Sequence, residues 1–311
     1  MKEEYNDVKE RPTKLCAQET FNIFAGYTVK EMKLFVLQLA LALFFLYPTQ
    51  TTSAEDAAPP GFWEPRQRQS RPDLSALARL RFLTTVDFFP FNYLDAENRL
   101  SGLHVDLARE ICAELEIMER CQVQALPWDE LDTALENRQG EAIIAGMAIT
   151  AENRERYLFS RPYLRFPARL VTRRGEKLTE PLHTAIAGKR VGVLGASAHE
   201  MLLRDLFPRA QSVVYSRTDW LFDDLKSGRI DGIFGDGVKL SFWLAGRDSE
   251  NCCAFAGGPY LAPEYLGQGL AIAIPRDMPQ LAQAIDFALH NIDTGGRFTD
   301  IYLRYFPIGF Y

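Results

Sequence analysis

The sequence is poor in the groups that hold metals and nucleotides. Its four histidines are scattered, and no CxxC or HExxH spacing occurs, whereas metal sites need convergent ligands at short spacing. No GxGxxG and no Walker loop is present, so nothing is arranged to cradle the phosphates of a nucleotide, and no cofactor is implied. An excess of positive charge is also missing. The 35 Lys and Arg stand against 41 Asp and Glu, a net charge of −6. A nucleic-acid partner requires a basic face to neutralise phosphates, and none is visible. The predominantly apolar run at residues 34 to 47 is 14 residues long, short of the roughly 20 that span a bilayer. What the 311 residues do have is a 47% hydrophobic share, too high for disorder and enough for one large core or two modest ones.

That apolar run follows Met32 and Lys33 and is followed by a polar stretch ending in Thr52-Ser53-Ala54. A charged residue, a short apolar segment and small residues before a cut form a secretory signal. Cleavage after Ala54 and a periplasmic location are expected, with Met32 as the true start and the polar residues 1–31 as an upstream extension. The competing reading is an uncleaved anchor. Export permits disulfides. Cys112, late in an expected helix, and Cys121, opening an expected strand, are close enough in sequence to bridge. Cys252 and Cys253 are adjacent, and because a bridge between neighbours is strained they are expected as two thiols.

Residues 55–78 read as a flexible leader rich in Pro, Gln and Arg. Strand and helix patterns alternate after it. "LRFLTTV" is strand-like. "DLAREICAELEIM" places Leu107, Ile111, Leu115 and Met118 on one helical stripe, with Asp106 as N-cap. "CQVQAL", "WDELDTALENR" and "EAIIAGM" continue as strand, helix, strand. The order restarts at "KRVGVLG" and runs through three more strand–helix units before a long amphipathic helix at 277–294. The pattern predicts an α/β fold of two lobes, with crossings near 167–173 and 267–274. Ligands of open α/β sheets lie at the carboxyl ends of the strands.

The segments "FFPFNYLDAENRLSGLHVDLAREIC", "PWDELDTAL", "AITAENRERYLFSRPY", "VGVLGASAHEMLL", "LKSGRIDGIFGDGVKLSFWL" and "IYLRYFPIGFY" occur in this order. In order and spacing they resemble the bacterial extracellular solute-binding proteins of family three, the amino-acid-type receptors of ABC importers, over residues 80–311. The resemblance implies a two-lobed, type II periplasmic binding-protein fold with two interlobe crossovers. It puts residues 79–169 and 272–311 in lobe 1 and 170–271 in lobe 2. It also implies a monomer that closes by hinge motion on an amino acid or related small polar solute, and then meets a membrane permease.

Carried over residue by residue, Phe88 matches the aromatic that stacks on the ligand, and Trp128 a pocket-lining position. Asp236 matches the carboxylate that receives a ligand ammonium, although it also stands where a helix N-cap would. Ser197, Ala198 and His199 open a helix whose free N–H groups suit a carboxylate. Met147 lies between Gly146 and Ala148, which replace common hydroxyl residues, and Thr85 replaces a frequent acid. The family arginine that grips the α-carboxylate would stand three residues after Thr150. Asn153 is there instead, and Arg154 is one step, about 100° of helix, further on. Either Arg154 reaches back or the solute lacks a carboxylate at that end. The wider family also includes proteins resembling cyclohexadienyl dehydratases, for which Glu152, His199 and Asp236 are the available acid–base groups. No pair of them has a catalytic spacing, so a receptor and not an enzyme is expected.

Overall fold

The computed structural model describes residues 59–61, 63–64, 71–176 and 178–311. Met32, the apolar run and the expected cut after Ala54 lie outside the described residues, as does part of the 55–78 leader. The described part of that leader is largely exposed but is anchored at two points. Trp63 is buried edge-on to His290, with ring centroids 5.7 Å apart. Arg71 donates to the Leu115 carbonyl at 2.8 Å.

The first pass of the chain gives β1 (Leu80–Thr84), β2 (Asp87–Phe88), β3 (Asn92–Leu94), β4 (Leu100–Ser101) and α1 (Leu103–Glu114). It continues through β5 (Cys121–Ala125), α2 (Leu131–Glu136), β6 (Ala142–Ile143), α3 (Ala151–Arg156) and β7 (Tyr157–Phe159). A second sheet then forms from β8 (Ala168–Arg173), with α4 (Leu182–Ala185), β9 (Arg190–Leu194), α5 (Ala198–Leu206), β10 (Gln211–Tyr215) and α6 (Thr218–Lys226). After it come β11 (Gly232–Asp236), α7 (Gly237–Ala245), β12 (Cys253–Tyr260) and α8 (Pro263–Leu266). The chain returns to the first sheet with β13 (Ala273–Pro275), α9 (Pro279–Thr294) and α10 (Arg297–Tyr305).

The first sheet has the order β5-β1-β6-β13-β7 and the second β10-β9-β11-β8-β12. In the first, β1 pairs parallel with β5 and β6, and β13 runs antiparallel. In the second, β9 is parallel to β10 and β11, while β8 and β12 are antiparallel. The chain passes between the sheets twice, once from β7 to β8 and once from β12 to β13. The fold is α/β and two-lobed, of the type II periplasmic binding-protein class.

Each sheet is covered on both faces, and the sequence shows why. In β11, Ile233 and Phe234 are both buried but enter different apolar clusters, because alternate residues of a strand point to opposite faces. Leu170 and Val171 of β8 divide the same way. In lobe 1, the face of α1 carrying Leu103, Leu107 and Ile111 packs with α9 and with the carboxyl-terminal aromatics Tyr302, Phe306 and Phe310. Arg169 of β8 links the lobes: it donates to the Gly257 carbonyl at 3.0 Å and to the Phe310 carbonyl at 3.2 Å, and its guanidinium lies 4.3 Å from the Phe255 ring centroid. Burial lowers its pKa.

Three expectations are corrected. The helix expected from Asp106 starts at Leu103, with Gly102 as N-cap. Gly102 has φ 130°, and a Cβ there would collide with the Phe91 carbonyl. A tertiary contact therefore fixes the start, and Asp106 instead accepts from Arg304 and Tyr305. The stripe also ends early. Glu116 takes φ 58°, α1 stops, and Met118 is 52% exposed in a short 3₁₀ turn. Finally, Cys252 and Cys253 are bridged rather than two thiols, as Cys112 and Cys121 are also bridged. Adjacent residues inside a strand point apart, but Cys252 precedes β12 in a turn where Glu250 and Asn251 have φ 49° and 55°, and the two side chains converge there.

Candidate ligand site

Lobe 1 gathers its candidates at the carboxyl ends of β1, β5 and β6. The Thr84 hydroxyl donates to the Ile144 carbonyl at 2.7 Å, tying β1 to the loop after β6. That loop turns at Gly146, φ 84°, where an added Cβ would lie 2.7 Å from the Phe88 ring. Phe88 therefore rests on a glycine and stacks on Phe91, centroids 4.6 Å apart at 29°. Trp128 begins a 3₁₀ turn after Pro127 and is 52% exposed. It borders two hollows. One of about 270 Å³ is lined by Thr85, Asp87, Leu126 and Trp128 among others. The other, of about 300 Å³, is lined by Trp128, Asp129, Asp132, Met147, Ala148 and Asn153.

The helix α3 decides the question of the arginines. The Thr150 hydroxyl caps it by accepting from the Asn153 N–H at 3.1 Å. The Asn153 side chain faces the hollow and donates to the Ala148 carbonyl at 2.8 Å. Arg154 is exposed and donates to Gln268 at 2.8 Å, in the return crossover. Arg156 forks onto Asp132 at 2.7 Å and Glu136 at 2.9 Å. The structure thus turns Asn153 to the hollow and both arginines elsewhere. Glu152 is exposed on the same helix.

Lobe 2 places its candidates at the ends of β9 and β11. The Ser197 hydroxyl caps α5, accepting from the Glu200 N–H at 3.2 Å and donating to the Leu194 carbonyl at 2.6 Å. The Glu200 carboxylate reaches back to the Ala196 N–H at 2.8 Å, one residue before the cap, and so ties the turn ahead of α5 to its first turn. The N–H groups of Ala198 and His199, in the first turn, have no intrahelical acceptor. Asp236 caps α7 through one oxygen, Oδ1, which accepts from Val238 at 2.8 Å and Lys239 at 3.1 Å. A hollow of about 170 Å³ is lined by Ser197, His199, Thr218, Phe222, Asp236 and Lys239 among others. Burial lowers the His199 pKa against the pull of Asp236, and Lys239 lowers it further, which favours the neutral imidazole.

Eight of the twelve predicted ligand residues, Thr85, Trp128, Met147, Ala148, Asn153, Ser197, His199 and Asp236, line these hollows. Phe88 and Gly146 pack on each other beside Met147 and Ala148, Ala198 offers a backbone N–H, and Arg154 is diverted to Gln268. Sequence reasoning missed Asp129, Asp132, Thr218 and Lys239. Lys239 had a signal: three residues beyond the cap Asp236, helical spacing returns it to the same end of α7.

Two lobes built on crossed-over α/β sheets, with polar groups at the strand ends, define a solute-binding class. Residues 80–308 match the bacterial extracellular solute-binding proteins, family 3, and the chain belongs to that family. It is 32% identical to the putative ABC transporter arginine-binding protein 2 of Escherichia coli K12, over 75% of this chain and 92% of the relative. It is 29% identical to the L-arginine-binding protein of Pseudomonas aeruginosa, over 78% and 93% respectively. An ancestral cyclohexadienyl dehydratase superposes with a TM-score of 0.61 at 20% identity, over 76% of this chain and 98% of that one. That likeness shows the shared fold alone.

Proposed function

We propose that the protein is the solute receptor of an ABC importer in the periplasm and that its solute carries the ammonium and carboxylate of an α-amino acid. The family match supports the receptor, and the names of the relatives, arginine-binding proteins of ABC transporters, support an amino acid. The observation that carries the chemistry is Asp236. Its Oδ1 alone satisfies the helix cap, leaving the second oxygen of this half-buried carboxylate for a ligand ammonium, and a carboxylate that closure desolvates is costly without a cation. In the same hollow, Lys239 and the first-turn N–H groups of α5 offer charge and donors to a carboxylate. In this reading, Lys239 replaces the cation that Asn153 does not provide. The two half-sites close on the solute by hinge motion, and the free energy of closure comes from contacts made with both lobes only when closed. Isothermal titration and thermal shift against the protein amino acids, ornithine and citrulline test this. Binding with a compaction in solution scattering is expected, and a flat response to the whole panel would rule out an amino-acid solute.

A further inference from the structure

Arg169 is a buried cation outside the solute site. It is 7% exposed, and among the described residues no Asp or Glu pairs with it. An unpaired buried charge is costly, and here the guanidinium is committed to two carbonyls in different lobes. Its seat in the second lobe is rigid. The stem runs between Gly237 and Gly258, where an added Cβ would lie 3.0 Å from its Cγ and 3.1 Å from its Cδ respectively. Nε donates to the Gly257 carbonyl at 3.0 Å, and the Phe255 ring centroid lies 4.3 Å from the guanidinium. Nη1 crosses to the first lobe and donates to the Phe310 carbonyl at 3.2 Å. That acceptor is equally fixed. The Phe310 N–H donates to the Tyr302 hydroxyl at 2.9 Å, and the Phe310 ring is fully buried against Tyr302 and Phe306. The next residue grips the crossover itself. The Tyr311 hydroxyl accepts from the Arg165 N–H at 3.0 Å and donates to the Arg165 carbonyl. Residues 310 and 311 are thus bonded on both sides of residues 166–168, next to the point where Leu164 bridges Leu270 of the return crossover.

We infer that the Arg169–Phe310 hydrogen bond is an interlobe latch of the open receptor, and that Arg169 is a positioning residue that holds solute affinity down. The inference rests on the receptor reading above, in which the lobes close by hinge motion. None of the three hollows that carry the site residues is lined from both lobes, so the half-sites stand apart in the arrangement that makes this bond. Rotation of the second lobe about the crossovers moves Arg169 relative to Phe310, and neither end has slack to follow. The contact of Ile308 with the cluster around Val171 and Ile233 is apolar, without direction, and can slide. A bond made only in the open form is broken on closing, and it lowers apparent affinity by reducing the population of the competent form.

Arg169→Met keeps the stem and removes the donors. Solution scattering without solute is expected to show it more compact than wild type. Isothermal titration with the tightest-binding member of the amino-acid panel is expected to give about ten-fold higher affinity or more, the size of one hydrogen bond from a charged group. Tyr311→Phe, which frees the crossover from the tail, should shift both quantities the same way and by less. Arg173→Met is the control from the same strand. Its bonds to the Leu225 and Ile230 carbonyls, at 3.0 and 2.7 Å, stay inside the second lobe, so it should melt lower and bind as wild type does. An Arg169→Met protein that behaves like this control, or binds more weakly than wild type, overturns the inference. If Arg169→Met does not fold, Arg169→Lys, which keeps the charge but lacks the fork, decides on the same readings. If wild-type protein binds no member of the panel, the amino-acid reading falls, and the solute-free scattering still decides the latch.

Discussion

Asp236 is assigned two roles that one substitution can separate. Its Oδ1 caps α7 through Val238 and Lys239, while its other oxygen is proposed to hold an ammonium. Replacing it with Ala removes both. Loss of a cap costs about 1 kcal/mol, which for a body of this size lowers the melting temperature by roughly 2–4 °C. Replacing it with Ser keeps a good cap and removes only the charge. Asp236→Ser should therefore melt within about 1 °C of wild type. Its affinity should fall with the loss of a desolvated ion pair, about 2–5 kcal/mol, or roughly thirty-fold to several-thousand-fold. Differential scanning calorimetry of the unliganded proteins gives the first quantity, and isothermal titration with the best amino acid of the panel gives the second. If Asp236→Ser binds as tightly as wild type while Asp236→Ala is merely less stable, Asp236 is only a cap. The ammonium contact then lies elsewhere.

Gly146→Ala should cost about 2–4 kcal/mol, from a left-handed backbone and from displacing Phe88. Gly175, at φ 93° with nothing within 4 Å, supplies a control in which only the backbone cost applies, and urea unfolding of the two variants isolates the Phe88 contact. Replacing Cys112 and Cys121 together with Ser opens a loop of sequence separation 9 and should lower stability by about 2–3 kcal/mol on the chain-entropy account, read by the same unfolding. Burial lowers the His104 pKa to about 3. The unfolded chain takes up this proton below about pH 6.5 and the folded chain does not, so stability is full above that pH and is lost as pH falls toward 3. Between pH 7 and pH 5 the wild type should lose about 2 kcal/mol more than His104→Gln, a difference measurable by urea unfolding at the two pH values.

Elements with local signals were legible. The helices α5, α6 and α7 lie within a residue or two of where the patterns "SAHEMLLRDLF", "TDWLFDDLKSG" and "GVKLSFWLAG" end. Ser197 and Asp236 are cap residues, and Gly228 and Gly246 are stop signals, that act within one turn. What depended on distant chain was not legible. The hairpin strands β2, β3 and β4 are two or three residues long and have no measurable period. The strand β12 exists because it pairs antiparallel with β8, about eighty residues earlier in the chain. Gly102 outranked Asp106 because of a collision with Phe91 that no cap rule contains. At the site, Thr85, Trp128 and Asp236 could be nominated from the family resemblance. The destination of Arg154 could not, because Gln268 comes from the other end of a two-lobe excursion.

The two half-sites differ in how firmly they are held, and that bears on how selection by the receptor would work. In lobe 2 the charged groups sit on helix ends: Asp236 is fixed by its cap, and Lys239 is on an exposed face. Such groups recognise features shared by every α-amino acid, so they set a baseline affinity and discriminate little. In lobe 1 the Thr85 hydroxyl oxygen is held by Asn92, which is itself anchored through His104 to Tyr163, so the oxygen is fixed in place while its proton still turns about the Cβ–Oγ bond. A site whose polar atoms are held in place rejects a mismatched solute more strongly than an adaptable one, because the mismatch leaves a polar group unpaired in a dry place. If solutes enter through lobe 2 and are sealed by lobe 1, then a wrong side chain still binds the open form and fails to stabilise the closed one. Citrulline and arginine should then differ less in binding to the open form than in their power to compact the protein, which solution scattering at saturating solute measures directly. Equal compaction by both would place discrimination in the encounter and not in the closure.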